Sequence, residues 1–485
     1  MPRIELDIAN GFYRSDSLPV SAQRCQNWFP VIAEAPALSA KALFPTPGLV
    51  QLSVNGVDAG RGAITVNDIA YFINGTSLYS VSSAGVSSAL GTISGTGRVS
   101  TATNGQYVVI VVPGGNAYSY DTTAGVLTQI TDVDFITSDT VTYKDGYFVF
   151  TSSAGNVFFN SELNDPLTYD ALKFGTAEIS PDKIVSTHVN HNELFVVGVE
   201  TIEVFQNIGG VGFPFQRIQG ANIQKGSHAT FSTVEFDNTF MFIGGGLNEL
   251  SAVWRVTGSS SVAKVSTNAI DTEIQKFTRA EISDAFAWTY SADGAFFAGF
   301  TFESLRIPSK TFVYDATASA LSGRSIWHER QSGLDENRWR VNHIISAYGK
   351  LLVTDSTTGK IGTIEKATYT EYGETIFREI TTHPYYIQDV SFIVGELQLF
   401  TEAGVGLTTG QGSDPQIMYD YSDDGALTWS NQTTRPFGKI GEYQTVTTWR
   451  RQGLSKRNRV LRFKVSDPVK AVLIKLYAIA EQGVQ

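Results

Sequence analysis

Between about residues 60 and 355 the chain repeats one pattern: a short apolar stretch, a pair drawn from Asn, Asp and Gly, then an aromatic or β-branched stretch. Thr65–Val66 precede Asn67-Asp68 and Tyr71–Ile73; Asn104-Gly105 precedes Tyr107–Val112; Asp145-Gly146 precedes Tyr147–Phe150; His191-Asn192 precedes Leu194–Val197. The series continues with Asp237-Asn238 before Phe240–Ile243, Asp293-Gly294 before Ala295–Phe300, and Tyr348-Gly349 before Leu351–Val353. Pairs of this kind supply the left-handed backbone of tight hairpin turns, so each unit predicts a β-hairpin. From Asn67 to Tyr348 the six intervals cover 281 residues, a mean period of roughly 47, which matches a four-stranded propeller blade. Second hairpins at Asn116–Tyr120 and Gly155–Asn160 help to fill out four strands per unit. About seven irregular blades are expected. Two packed sheets without radial symmetry would give similar local signals.

The pattern changes on both sides of this region. Residues 1–60 scatter Pro19, Pro30, Pro36, Pro45 and Pro47 through a segment without alternation, which predicts an extended N-terminal arm packing on the C-terminal domain or on a neighbour. The propeller is expected over 61–376. Over 377–485, Ile387–Val394, Glu396–Phe400, Gln416–Tyr421, Val446–Trp449, Val460–Val465 and Ala471–Tyr477 read as strands of a C-terminal β-sandwich-like domain serving as an assembly platform. In that domain Leu461, Phe463 and Val465 alternate with Arg462 and Lys464, which predicts an apolar inner and a charged outer face.

Composition supports an all-β protein: the chain of 485 residues is 12% aromatic, with 45 Gly and few strong helix formers. The aliphatic run Val108–Val112 is too short for a membrane helix, and the N-terminus carries no apolar signal core, so no membrane insertion is expected. One cysteine, Cys25, rules out an internal disulfide framework and suits folding in a reducing cytoplasm. The formal charge of −11 is unevenly placed, because residues 435–475 hold eleven Lys and Arg against Glu442 and Asp467. That +9 leaves −20 for the remainder.

Catalytic chemistry finds little purchase. His188 and His191 are three apart without a further ligand, and Gly244-Gly-Gly246 lacks the Lys and helix of a phosphate loop, so neither a metal nor a cofactor is expected. Asp420-Tyr-Ser-Asp-Asp-Gly425 spaces oxygen side chains as a calcium loop does, but Asn431 stands where the bidentate Glu belongs. The same stretch resembles an Asp-box turn, Ser422 and Asp424 with Thr428 and Trp429, in which the Asp bonds the turn backbone and the Trp is buried. Sialidases repeat that box in several blades and gather an arginine triad at the propeller axis. Here the box occurs once, outside the repeats, and Arg is sparse among the blades. No catalytic residues are therefore assigned; a monomeric glycan-binding propeller or a sialidase-like glycosidase is the alternative reading.

Arg450, Arg451, Lys456, Arg457, Arg459, Arg462 and Lys464 form the candidate basic surface. Three readings stay open: a solvated strand face, a subunit or adaptor interface, or contact with DNA phosphates. Phosphate anchors would hold a duplex that must slide, whereas acidic or neutral walls would ease its passage.

Several longer strings carry a family resemblance: Tyr421-Ser-Asp-Asp-Gly-Ala-Leu-Thr-Trp-Ser430, Gly438-Lys-Ile-Gly-Glu-Tyr443, Trp449-Arg-Arg-Gln-Gly453, Arg459-Val-Leu-Arg-Phe463 and Ser466-Asp-Pro-Val469. Upstream stand Arg24-Cys-Gln-Asn-Trp-Phe-Pro30, Thr46-Pro-Gly48, Gly97-Arg-Val-Ser100, Ile202-Glu-Val-Phe205, Gln224-Lys-Gly226 and Val313-Tyr-Asp-Ala316. In this order the chain resembles the tail nozzle, or packaged-DNA stabilisation, family of short-tailed bacteriophages. The resemblance implies a virion tail protein made in the host cytoplasm, forming a homohexameric ring below the portal and adaptor. It also implies contacts to tailspikes or fibres, to a tail needle or plug, and to packaged double-stranded DNA passing through.

Overall fold

The computed structural model describes residues 3–482 apart from 181, 211 and 389. Seven blades follow one another around an axis, each containing one of the predicted hairpins: the first four are four-stranded antiparallel sheets, the fifth has five strands, the sixth continues into a larger sheet and the seventh belongs to a six-stranded one. The first blade runs through 60–66, 69–74, 77–81 and 87–92, and the second through 100–103, 107–111, 117–121 and 126–129. The turns have the geometry their residues allow: Asn67 and Asp68 sit at φ 49° and 62°, Asp145 and Gly146 at 50° and 90°, Asp237 and Asn238 at 46° and 61°. Both central residues are left-handed, so the turn twist matches the strand twist.

Inner blade strands such as Tyr107–Val111 and Glu193–Gly198 lack a polar face because neighbouring blades cover both sides, whereas outer strands such as Val126–Gln129 are exposed. In Tyr107–Val111, Val108 and Ile110 pack toward the first blade, whereas Val109 and Val111 join Phe148 and Phe150 of the third. The same division places Leu194 and Val196 on one side and Phe195 and Val197 on the other. Burial of each such side chain stabilises by roughly 1.5–3 kcal/mol. At the fifth blade Gly244 permits a close backbone approach, since a Cβ there would stand 1.8 Å from the Gly226 carbonyl oxygen.

The N-terminal segment differs from the expected arm. Residues 48–54 form the fourth strand of the seventh blade, antiparallel to 360–365, so the ring closes with strands from both ends of the propeller sequence. Residues 28–32 and 41–45 form a hairpin in the C-terminal domain's first sheet, beside 473–482, 392–401 and 447–455. Residues 3–6 pair with 473–482. The prolines hid this: Pro30 lies inside strand 28–32, where alternation is broken, and Pro45 ends strand 41–45.

Residues 22–26 have the largest architectural effect. This strand pairs in parallel with 326–330, the outer strand of the sixth blade, and antiparallel with 378–381 of the C-terminal domain. A sheet therefore runs unbroken from the propeller through 22–26 into 378–381, 458–465, 416–422 and 433–436. Asn27, buried at φ 53°, reinforces the junction: its side chain donates to the carbonyls of Gln331 (3.0 Å) and Phe377 (2.7 Å) and accepts from the Gln331 amide (3.0 Å). Trp28 donates from Nε1 to the Ala471 carbonyl at 2.7 Å.

The two C-terminal sheets enclose Trp28, Leu397, Leu399, Tyr419, Trp449 and Phe463. The strands expected at 387–394 and 396–400 are largely one, Phe392–Thr401, with a bulge between Val394 and Glu396; residue 389 lies outside the described residues. Short helices at Asn268–Ile274, Arg279–Ser283 and Ala316–Ser322 were not expected. The first tucks Ile270 and Ile274 between the fifth and sixth blades. Two turns of helix are too short to show a period in the sequence. No helix among the described residues is long and apolar enough to cross a membrane.

Candidate functional site

The basic run divides in two. Arg459 is buried at 2% side-chain exposure, forks onto Asp423 at 2.7 and 2.8 Å, and lies 3.9 Å from the Tyr421 ring centre. Arg462 forks onto Asp420 at 2.7 and 2.8 Å, and Lys464 reaches the same carboxylate at 3.3 Å. These three, expected on a basic surface, are internal ion pairs. Alternation does keep Leu461, Phe463 and Val465 inward, but strand 416–422 runs alongside and supplies the compensating acids.

Arg450 and Arg451 on strand 447–455, and Lys456 and Arg457 in the turn that leads from it to 458–465 of the other sheet, remain exposed. Arg450 meets Glu396 at 3.2 Å while 78% exposed, a contact worth little in water. The cationic surface is thus four side chains on one strand and the turn that follows it.

The Asp-box-like turn joins 416–422 to 433–436. Asp424 Oδ1 accepts from the Ser422 hydroxyl (2.7 Å) and the amides of Leu427 (3.0 Å) and Thr428 (2.9 Å), and Oδ2 accepts from the Thr428 hydroxyl (2.5 Å). Those donors, Thr428 foremost, hold its carboxyl well below the usual carboxylate range. Ala426 takes φ 69° where the motif has Gly. Trp429 was expected to be buried, but it is half-exposed, covered by the Arg462 guanidinium 3.7 Å from the ring centre. With Asp420 held by Arg462, Asp423 by Arg459 and Asp424 by its own turn, the calcium-like stretch has its carboxylates engaged.

The histidines are structural. Burial pushes His188 down to about 4 against the Phe240 ring, and His191 takes φ 53° in a hairpin turn. At the domain junction Arg24 contacts Glu329 and pairs with Glu336 (2.8 Å) and Glu379 (3.6 Å), while Lys310 reaches Glu329 at 3.3 Å. Burial alone would push Glu329 up, but Arg24 and Lys310 outweigh it and bring its carboxyl down to about 2.

A different grouping occupies one mouth of the propeller axis. Loops and inner strands of all seven blades line a cavity of about 820 Å³ containing Arg61, Arg98 and Arg338 with Asp139, Lys183, Asp284 and Glu303. Sequence reasoning missed this convergence, because these arginines are dispersed along the chain and only radial closure brings them together. The Gly97-Arg-Val-Ser100 string was visible, though not the role of its arginine.

The fold defines a propeller-and-sandwich protein. Family models for bacteriophage P22 Gp10 match both parts, the β-propeller over residues 4–369 and the β-sandwich over 378–481. The chain belongs to that family, the tail nozzle and DNA-stabilisation proteins of podophages. No curated protein sequence matches significantly. Among solved structures, the N-terminal domain of Nup159 is 9% identical, covering 68% of this chain and 97% of its own, with a TM-score of 0.40. BamB from Moraxella catarrhalis is 10% identical over 69% of this chain and 95% of its own (TM-score 0.39). The C-terminal WD40 domain of Sif2 is 13% identical over 66% and 99% (TM-score 0.39). Scores at this level do not bear on function.

Proposed function

We propose that six copies of this phage tail protein form a ring below the portal–adaptor complex, prolonging its channel. The ring retains packaged DNA together with a plug or needle, conducts the DNA during ejection, and offers lateral docking sites for tailspikes or fibres. Its residues act through surfaces and not through a catalytic site. The observation that carries this reading is the match of the nozzle family across both domains, which strand 22–26 joins into one continuous sheet. A body that transmits force along a tube needs such a junction, because domains on a flexible linker would bend independently.

The exposed cations Arg450, Arg451, Lys456 and Arg457 serve as the assembly surface, meeting acids on a neighbouring copy or on the adaptor; the chain as a whole is at −11. Complementary patches of this kind steer association and set register. DNA is contacted without sequence readout, since the helices among the described residues span at most seven residues.

The test is the mass of the purified chain, alone and mixed with the portal–adaptor complex of its phage, by light scattering and negative-stain imaging. A six-fold ring on the adaptor is expected. A chain that stays monomeric and never joins the adaptor would overturn the reading in favour of a soluble glycan-binding propeller.

A further inference from the structure

Among the cations at the axial mouth, Arg61 and Arg98 have no paired carboxylate among the described residues, and of these two Arg98 is the one that keeps free donors, since only its Nη1 is engaged. Lys183 pairs with Asp139 at 3.0 Å and Arg338 with Glu303 at 2.6 Å. Arg61 spends its donors on the carbonyls of Gly97 (2.6 Å) and Gly75 (2.8 Å). Arg98 has no carboxylate within 4.0 Å among the described residues. It is nevertheless held firmly. Nη1 donates to the Asn342 carbonyl (3.1 Å) and to His343 Nε2 (2.5 Å), and the guanidinium lies 3.6 Å from the Phe286 ring centre.

Burial, with Arg98 adjacent, keeps His343 well below its ordinary range and so neutral, able to accept at Nε2 while Nδ1 faces the Thr354 hydroxyl at 3.4 Å. Burial and the neighbouring Arg338 push Arg98 down to about 9 against a smaller opposing pull from Glu303, so it stays charged at neutral pH, and Glu303 itself is paired with Arg338. The guanidinium is set deep among protein atoms yet still lines the cavity.

We propose that this axial mouth is a binding site for an acidic saccharide, with Arg98 receiving the sugar carboxylate. A planar guanidinium fixed on one side by Phe286 presents a fork that matches a carboxylate. The rest of the lining suits sugar hydroxyls: Thr96, Ser153, Thr230, Ser283, Asn342 and Ser356 give and accept hydrogen bonds. Asp284 and Glu303 accept from hydroxyls but repel a polyanion, which favours a ligand with isolated carboxylates over an acidic peptide or a nucleic acid. Such a site would let the tail hold an acidic surface polysaccharide in addition to its structural role.

The test uses calorimetric titration of the full chain with a glucuronate-containing tetrasaccharide, a neutral glucose tetrasaccharide and a hexaglutamate peptide. Binding of the first alone is expected, weakened at least tenfold in Arg98→Ala, with circular dichroism confirming an intact fold. Glu303→Gln, which frees Arg338, should tighten binding severalfold, as should Asp284→Asn. Absent binding of the acidic sugar, equal affinity in Arg98→Ala, or preference for hexaglutamate overturns the proposal. Should Arg98→Ala not fold, unchanged affinity in both carboxylate variants overturns it equally.

Discussion

Arg24 and Arg98 are both arginines drawn into protein, and their surroundings are opposite. Arg24, at the junction of propeller and sandwich, faces Glu329, Glu336 and Glu379. Burial would lower its pKa, but those carboxylates raise it above the ordinary value. Arg98, at the axial mouth, touches a carbonyl, an imidazole and a phenyl ring, and burial and Arg338 outweigh the more distant Glu303 to push it down to about 9. A compensated buried ion belongs to a joint, since removing one partner strands the others. An uncompensated one beside a cavity belongs to a site, since an incoming anion completes it.

The largest test of this contrast is Arg24→Met. It leaves Glu329 and Glu379 short of a cation, and we expect a loss of about 3–5 kcal/mol in denaturant unfolding, with separate propeller and sandwich transitions replacing a shared one. A loss below about 1 kcal/mol would make the junction a surface pair in disguise. Arg459→Ala should cost about 2 kcal/mol, because Asp423 and the carbonyls of Gln452 and Leu454 lose their donor; fluorescence of the sandwich tryptophans would report it.

A pH titration of stability separates the two arginines in a third way. Glu329 ionises at about 2 in the fold and near 4.3 when unfolded, so its contribution is present above about pH 4 and is lost as pH falls toward 2. On the order of 2 kcal/mol should disappear across that window, less in Arg24→Met, with Arg98→Ala following the parent curve.

Arg98→Ala itself should change stability by under about 1 kcal/mol, its ring contact and hydrogen bonds being offset by relief of the unpaired charge. Smallest in stability, within about 0.5 kcal/mol, is the combined Ala replacement of Arg450, Arg451, Lys456 and Arg457. Sedimentation should nevertheless show weaker ring or adaptor association and a flatter dependence on salt. Unaltered assembly would remove these four cations from the interface.

Much of the propeller was legible because it is local: seven turn pairs name seven hairpins, and a period near 47 follows from blade size. The C-terminal strands were legible for the same reason, as was the Asp-box-like turn, whose bonds join residues within a few positions of one another. The basic run illustrates the limit. Composition located the cations at 435–475, but strand pairing decided that Arg459, Arg462 and Lys464 meet Asp423 and Asp420, leaving four exposed.

What the sequence determined by itself was the inventory of short-range structure: strands, turns, the change of pattern after the repeats, and the strings that carry the family resemblance. Only tertiary structure decided that residues 48–54 close the ring, that 22–26 weld two domains, and that Arg98 meets Asn342 and His343 across about 245 residues of chain. The physical reason is that a turn depends on the backbone preferences of adjacent residues. A buried charge depends on which distant groups are brought within a few ångströms of it, and neither periodicity nor composition records that.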